Sequence, residues 1–227
     1  MNQETVDFKD TLISEFEKIR NQDIAIQQEA YMKGQFKFLG IKAPLRREIL
    51  QPFFVKSYLP PREALVEIVQ SLWEMPEREY QMTAQDLAFK YKNQVEKKDI
   101  ELYEYMITHK SWWDTVDFIA IKLVGNYLKK YPQNIDSNIE KWINSDNIWL
   151  RRTAILFQLK YKNEINPSLL DYILKSQLGS KEFFINKAIG WMLREYSKTN
   201  PDWVTNFVHN NQLSNLSKRE AIRLMKK

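Results

Sequence analysis

Polar and apolar positions along the chain recur at helical spacing. Within Glu77–Tyr91, the residues Tyr80, Thr83, Ala84, Leu87, Ala88 and Tyr91 fall at i, i+3, i+4, i+7, i+8 and i+11. That stripe fits a helix and not the alternation of a half-buried strand. Asn147–Tyr161 repeats the pattern with Leu150, Ala154, Phe157 and Tyr161, and Phe183–Tyr196 does so with Ile185, Ile189, Met192 and Tyr196. Helix-start signals accompany the stripes. Pro61, Pro76 and Pro167 suit first-turn positions. Asn166-Pro167 reads as N-cap and N1, and Ser217-Lys-Arg-Glu220 as a capping box. No hairpin signal and no glycine-rich phosphate loop interrupts them. The pattern predicts an all-α chain of about a dozen helices.

Stacking the expected helix starts exposes an internal repeat. SLWEMPER begins at Ser71, KSWWDTVD at Lys110, SDNIWLRR at Ser145 and SKEFFINK at Ser180, spaced by 39, 35 and 35 residues. Periods of this size belong to helical-repeat solenoids, each unit an antiparallel helix pair. The eighth residue of each unit is Arg78, Asp117, Arg152 and Lys187. Equivalent positions in a solenoid line one surface, so these four polar groups are expected in one row.

Composition narrows the chemistry. With no cysteine and only two histidines, His109 and His209, far apart, the chain offers no thiol nucleophile, no disulfide and no His-rich metal site. No apolar run approaches the ~20 residues of a membrane span, and the polar start MNQETVDFKDTL lacks a signal-peptide pattern. These features lead us to expect a cytoplasmic protein. Charge is uneven. Residues 110–227 hold 19 Lys and Arg against 11 Asp and Glu, a net of +8, while residues 1–109 hold 15 against 18, a net of −3. A basic half suits a polyanion such as nucleic acid, or simply solvated helices.

Helical faces sort the candidate residues. At 100° per residue, Trp191 lies roughly 130° from the apolar stripe of its helix, in the company of Lys187 and Arg194. It is either core beneath a second helix layer or an aromatic surface on a basic face. Arg152 points away from its stripe, as a solvated side chain or a phosphate contact, and Lys160 lies off that stripe beside Trp149. In KSWWDTVD, Ser111 fits an N-cap with Asp114 at N3, and Trp112 turns to the core. Asp117 sits one turn further in, among Val116, Phe118, Ile119 and Ala120, with Trp113 at i−4. An ionised carboxylate in such surroundings needs a partner or a cavity. Arg152 or Lys187 from the next repeats could be that partner. Alternatively, Asp117 could stabilise a cationic sugar as a positively charged purine departs, with tryptophan faces attracting the cationic base.

The stretches YMKGQFKFLGIKAP (31–44), LWEMPEREYQ (72–81), KSWWDTVD (110–117), SDNIWLRRTAILFQLKYK (145–162) and SKEFFINKAIGWMLREYSKTNP (180–201) closely resemble the AlkD-type DNA alkylation repair glycosylases. The resemblance spans nearly the whole chain. It implies a single domain over residues 1–227, a right-handed superhelical solenoid of HEAT-like antiparallel helix pairs whose concave face holds duplex DNA. It implies a monofunctional glycosylase that hydrolyses the N-glycosidic bond of positively charged N3- and N7-alkylated purines, without the base flipping usual among glycosylases. Trp113 and Trp191 would flank the lesion. Asp117 would stabilise the oxocarbenium-like transition state and orient water, and Arg152 would hold the DNA backbone, with Tyr31 at the same cleft. Lys160, Lys187 and Arg194 are further candidate DNA contacts. No cofactor and no metal is called for, the partner is duplex DNA containing alkylated bases, and the chain is expected to act as a monomer. A noncatalytic HEAT-like solenoid that binds damaged or branched DNA, or a peptide-binding scaffold, would share the fold without the chemistry.

Overall fold

A computed structural model describes residues 3–225 of the chain. Fourteen α-helices are present among them, joined by short 3-10 turns, and the only β-pairing is an isolated bridge between Lys37 and Glu77. No described helix is long and apolar enough to cross a membrane. The chain divides into two compact units, one ending at Glu96 and the next beginning at Lys97.

The first unit contains α1 (Gln3–Glu17), α2 (Gln22–Tyr31), α3 (Ala43–Phe53), α4 (Leu65–Trp73) and α5 (Arg78–Lys90). All six residues of the Tyr80–Tyr91 stripe are buried, as their spacing requires. The prolines behave less regularly. Pro61 precedes a 3-10 turn, Arg62–Ala64, and Pro76 lies two residues ahead of α5, so neither occupies N1.

A buried carboxylate ties the loop before α3 to α5. Both oxygens of Glu79, a fully buried side chain, accept backbone N–H groups of Leu39, Gly40 and Ile41 at 3.0 Å each. Gly40 is required there. Its φ is +86°, and a Cβ would stand 1.9 Å from the Asn21 carbonyl oxygen. Glu79→Gln would turn an amide NH₂ toward these donors. Because hydrogen bonds to a charged group are worth ~1.5–3 kcal/mol each, we expect a loss of about 2 kcal/mol, read as a lower urea midpoint at unchanged slope.

The second unit starts with α6 (Asp99–Thr108). A long helical stretch follows, made of α7 (Trp113–Phe118), a π-helical segment Ile119–Val124 and α8 (Gly125–Lys130). Then come α9 (Ile135–Ile143), α10 (Ile148–Leu156), α11 (Pro167–Ser176), α12 (Phe183–Tyr196), α13 (Pro201–Asn210) and α14 (Asn215–Ala221). α10 packs against α7 on one side and α12 on the other, and α12 packs against α14; α9 lies behind α10 and packs on α11. This is the stacking expected of a repeat protein, in which each unit buries its apolar face on its neighbours. The 35-residue period is real at the level of helix starts, since α7, α10 and α12 begin at Trp113, Ile148 and Phe183.

Caps fix several of these ends. The Asn166 side chain accepts the N–H groups of Ser168 and Leu169 at 3.1 Å, with Pro167 at N1, as the sequence implies. Two other expectations are corrected. α14 is capped by Ser214, whose Oγ accepts the Ser217 N–H at 3.1 Å, while Ser217 is buried and donates to the Asn186 carbonyl at 2.8 Å. At the start of α7 the N-cap position is Trp112, not Ser111. The Ser111 hydroxyl donates instead to the Ile107 carbonyl at 2.6 Å, closing the end of α6, and Lys110 takes a φ of 48° to make the turn.

Candidate functional site

The register of three helices builds the site. Asp117, Arg152 and Lys187 are each the fifth residue of their helix, in α7, α10 and α12. Because the helices stack side by side, the three side chains line one cleft of about 340 Å³, together with Trp113, Phe183, Phe184, Trp191 and Arg194. Arg78 belongs to the first unit. It is the first residue of α5, fully buried, with its guanidinium 3.9 Å from the centre of the Phe36 ring.

Asp117 and Arg152 form a two-pronged ion pair. Arg152 Nε donates to Asp117 Oδ1 at 2.7 Å and Nη2 to Oδ2 at 2.8 Å, while Nη1 donates to the Phe184 carbonyl. The Asp117 side chain keeps 15% of its exposure and that of Arg152 only 4%. Of the readings open for Arg152, the pairing with Asp117 is the one present: its guanidinium turns inward because the neighbouring repeats present a carboxylate and a carbonyl to it. This geometry is what makes Arg a strong carboxylate partner. Burial pushes the Asp117 carboxyl above its ordinary range. The Arg152 hydrogen bonds and charge oppose that rise, and Asp114 adds to it.

Tryptophan placement follows from the same register. Trp113 and Trp191 are half-buried and line the cleft with Asp117. Trp112 turns the other way, with its ring 5.7 Å from Trp149 and 5.2 Å from Phe184, an aromatic cluster beneath the site. It stays half-buried where the sequence suggests full core. The π-helical segment begins two residues after Asp117. Such insertions rotate the following helix face and are frequent beside functional sites.

The candidate basic contacts all have acidic partners. Lys187 Nζ lies 2.7 Å from Glu220 Oε1, and Arg194 Nη1 lies 2.5 Å from Glu220 Oε2. Lys160 is in a turn beyond the end of α10, does not line the cleft, and pairs with Glu195 at 2.7 Å. Its displacement follows from the helix ending at Leu156, five residues before Tyr161. Tyr31 belongs to the first unit, where it is 70% exposed at the end of α2. Sequence reasoning missed Phe183, Phe184 and Glu220. Phe183 carried a signal, because it is the repeat equivalent of Trp113 at twice 35 residues; it stands 59% exposed at the cleft.

An all-helical stack of paired helices, with a part-buried carboxylate–guanidinium pair and two tryptophans in one cleft, defines a helical-repeat protein with a candidate reaction site. A family model described as DNA alkylation repair enzyme matches residues 12–225. The chain belongs to the DNA alkylation repair enzyme family, whose work is DNA repair and whose members bind DNA. Among solved structures, a predicted DNA alkylation repair enzyme from Enterococcus faecalis is similar at 34% identity and a TM-score of 0.85, over 92% of this chain and 97% of that one. A protein from Streptococcus mutans UA159, smu.31, shares the fold at 17% identity and a TM-score of 0.59, over 91% and 97%. No curated protein matches the chain.

Proposed function

We propose that the second-unit cleft is the active site of a monofunctional DNA glycosylase that removes N3- and N7-alkylated purines from duplex DNA. The observation that carries this reading is Asp117. Arg152 orients its carboxylate from below, and its remaining exposure opens into a cleft lined by Trp113 and Trp191. A pure binder gains little from an acid facing phosphates, which it repels.

The chemistry needs few groups. An alkylated purine already carries positive charge, so the C1′–N bond breaks with its electron pair moving to the base, without acid assistance. The sugar left behind is cationic at C1′. Asp117 stabilises that charge and takes the proton of the water that adds there. At ~4 Å and an effective dielectric of about 20, such a pair is worth on the order of 4 kcal/mol. The indole faces of Trp113 and Trp191 favour the cationic sugar as it forms. Arg152, turned inward and bound to Asp117 and the Phe184 carbonyl, completes the site by holding the carboxylate, and the expected contact with the DNA backbone is dropped from the scheme. Tyr31, exposed on the first unit, is a DNA contact in this scheme, as are Lys187, Arg194 and, more peripherally, Lys160. The lesion is read through its sugar from the duplex surface, without extrusion of the base.

Incubating the protein with methylated duplex DNA and separating the released bases by chromatography tests the proposal. Free 3-methyladenine or 7-methylguanine is the expected product. Salt-sensitive DNA binding with no released base would instead establish a noncatalytic DNA-binding solenoid.

A further inference from the structure

Glu220 contributes nothing to the lining of the cleft, yet it holds two residues that do. Lys187, Trp191 and Arg194 occupy positions i, i+4 and i+7 of α12, successive turns of one face. Glu220 reaches this face from α14 and takes one cation on each carboxylate oxygen, at 2.7 and 2.5 Å. Its side chain keeps only 9% of its exposure. The Lys187 hydrogen bond, with the nearby Arg194 and Arg223 charges, holds its carboxyl below the ordinary range, so it is ionised at neutral pH.

The backbone is built to seat it. A Cβ at position 190 would stand 2.6 Å from the Glu220 Cβ and 2.9 Å from the Ser217 carbonyl oxygen. Glycine at 190 thus lets α14 lie directly on α12, beside Trp191. Ser217 locks the contact from the other side through its bond to the Asn186 carbonyl. Both cations would be free to sweep solvent without Glu220, since Lys and Arg side chains carry large rotamer freedom.

We infer that Glu220 is a positioning residue: it fixes Lys187 and Arg194 beside Trp191 and cancels part of their charge, so that the cleft holds the sugar–phosphate backbone in register at the expense of grip. This inference rests on the reading of the cleft as the glycosylase site. It separates two quantities that usually move together. Freed cations bind phosphates more readily, because each new phosphate contact steepens log Kd against log salt by about 0.9. Loose placement slows reaction, because misplacement by ~1 Å can cost about a hundredfold.

Glu220→Gln is the test, measured with undamaged duplex for binding and methylated duplex for release. Expected are equal or tighter binding, a salt dependence steeper by about one to two, and release at saturating DNA slower by about tenfold or more. In a Lys187→Met, Arg194→Met background the same substitution should change neither quantity, which a structural role for Glu220 would not produce. Unchanged release in folded Glu220→Gln overturns the inference. So does an equal loss of binding and release that persists in the double-methionine background. If the wild-type protein binds duplex but releases no base, the glycosylase reading falls, and the salt dependence still decides whether Glu220 restrains the two cations. Absence of duplex binding by the wild type overturns both.

Discussion

Asp117→Asn should lower release of 7-methylguanine at saturating DNA by about a thousandfold while leaving duplex binding within a few-fold of wild type. The size follows from the ~4 kcal/mol assigned to a carboxylate next to a developing cation, since each 1.36 kcal/mol is a factor of ten in rate. The binding arm follows from charge: removing an anion from a surface that meets phosphates cannot weaken the encounter. A second effect accompanies the first. Arg152 is nearly completely buried, and two of its N–H groups are committed to Asp117. Asparagine keeps one acceptor but leaves the guanidinium without a counter-charge. Breaking a buried pair costs ~3–5 kcal/mol, and the retained acceptor places the loss at about 3 kcal/mol. Thermal melting must therefore accompany the rate measurement, with release assayed well below the variant's midpoint. A thousandfold fall in a variant that still binds DNA assigns the chemistry to Asp117; wild-type release from the folded variant removes it.

The spacing of residues across the repeat was more legible in the sequence than the boundaries of the helices. Periodicity identified the buried stripes because a helix must hide one face, and Tyr80, Leu87, Ile185, Ile189 and Met192 are all buried. The 35-residue spacing was legible because a repeat protein places equivalent residues side by side, and Asp117 indeed meets Arg152 across one repeat. Helix ends were harder, since several hydroxyls compete for each. Ser111 and Ser217 both matched capping patterns, yet one closes the preceding helix and the other bonds across to α12. Reading Glu220 as part of a capping box hid its contact with Lys187 and Arg194, which only tertiary packing creates. The direction of Arg152 was ambiguous for the same reason. A helical wheel reports the angle of a side chain, not what the adjacent helix offers it.

Removing the guanidinium instead of the carboxylate gives the second large effect and tests how the site keeps its acid ionised. Arg152→Met preserves length and packing but deletes both hydrogen bonds to Asp117 and the adjacent positive charge. Burial already pushes the Asp117 carboxyl up and Arg152 opposes it, so the substitution moves it further up. In the proposed mechanism, release requires the ionised form. The acid limb of the rate profile should therefore shift to higher pH, with a loss of release that is largest on the acid side and narrows as pH rises. Stability should run the other way. With its folded pKa raised above the unfolded value, the native state binds the Asp117 proton more tightly than the unfolded chain does. That contribution is fully present below the unfolded pKa and is lost as pH rises through the folded pKa. The variant should accordingly gain stability, relative to wild type, on acidification from its own folded pKa down to the lower folded pKa of wild type, while its activity declines across the same window. Denaturant midpoints and single-turnover release at matched pH values measure the two trends. Parallel movement of both would show that Arg152 acts on packing alone, whereas opposed movement ties it to the charge of Asp117.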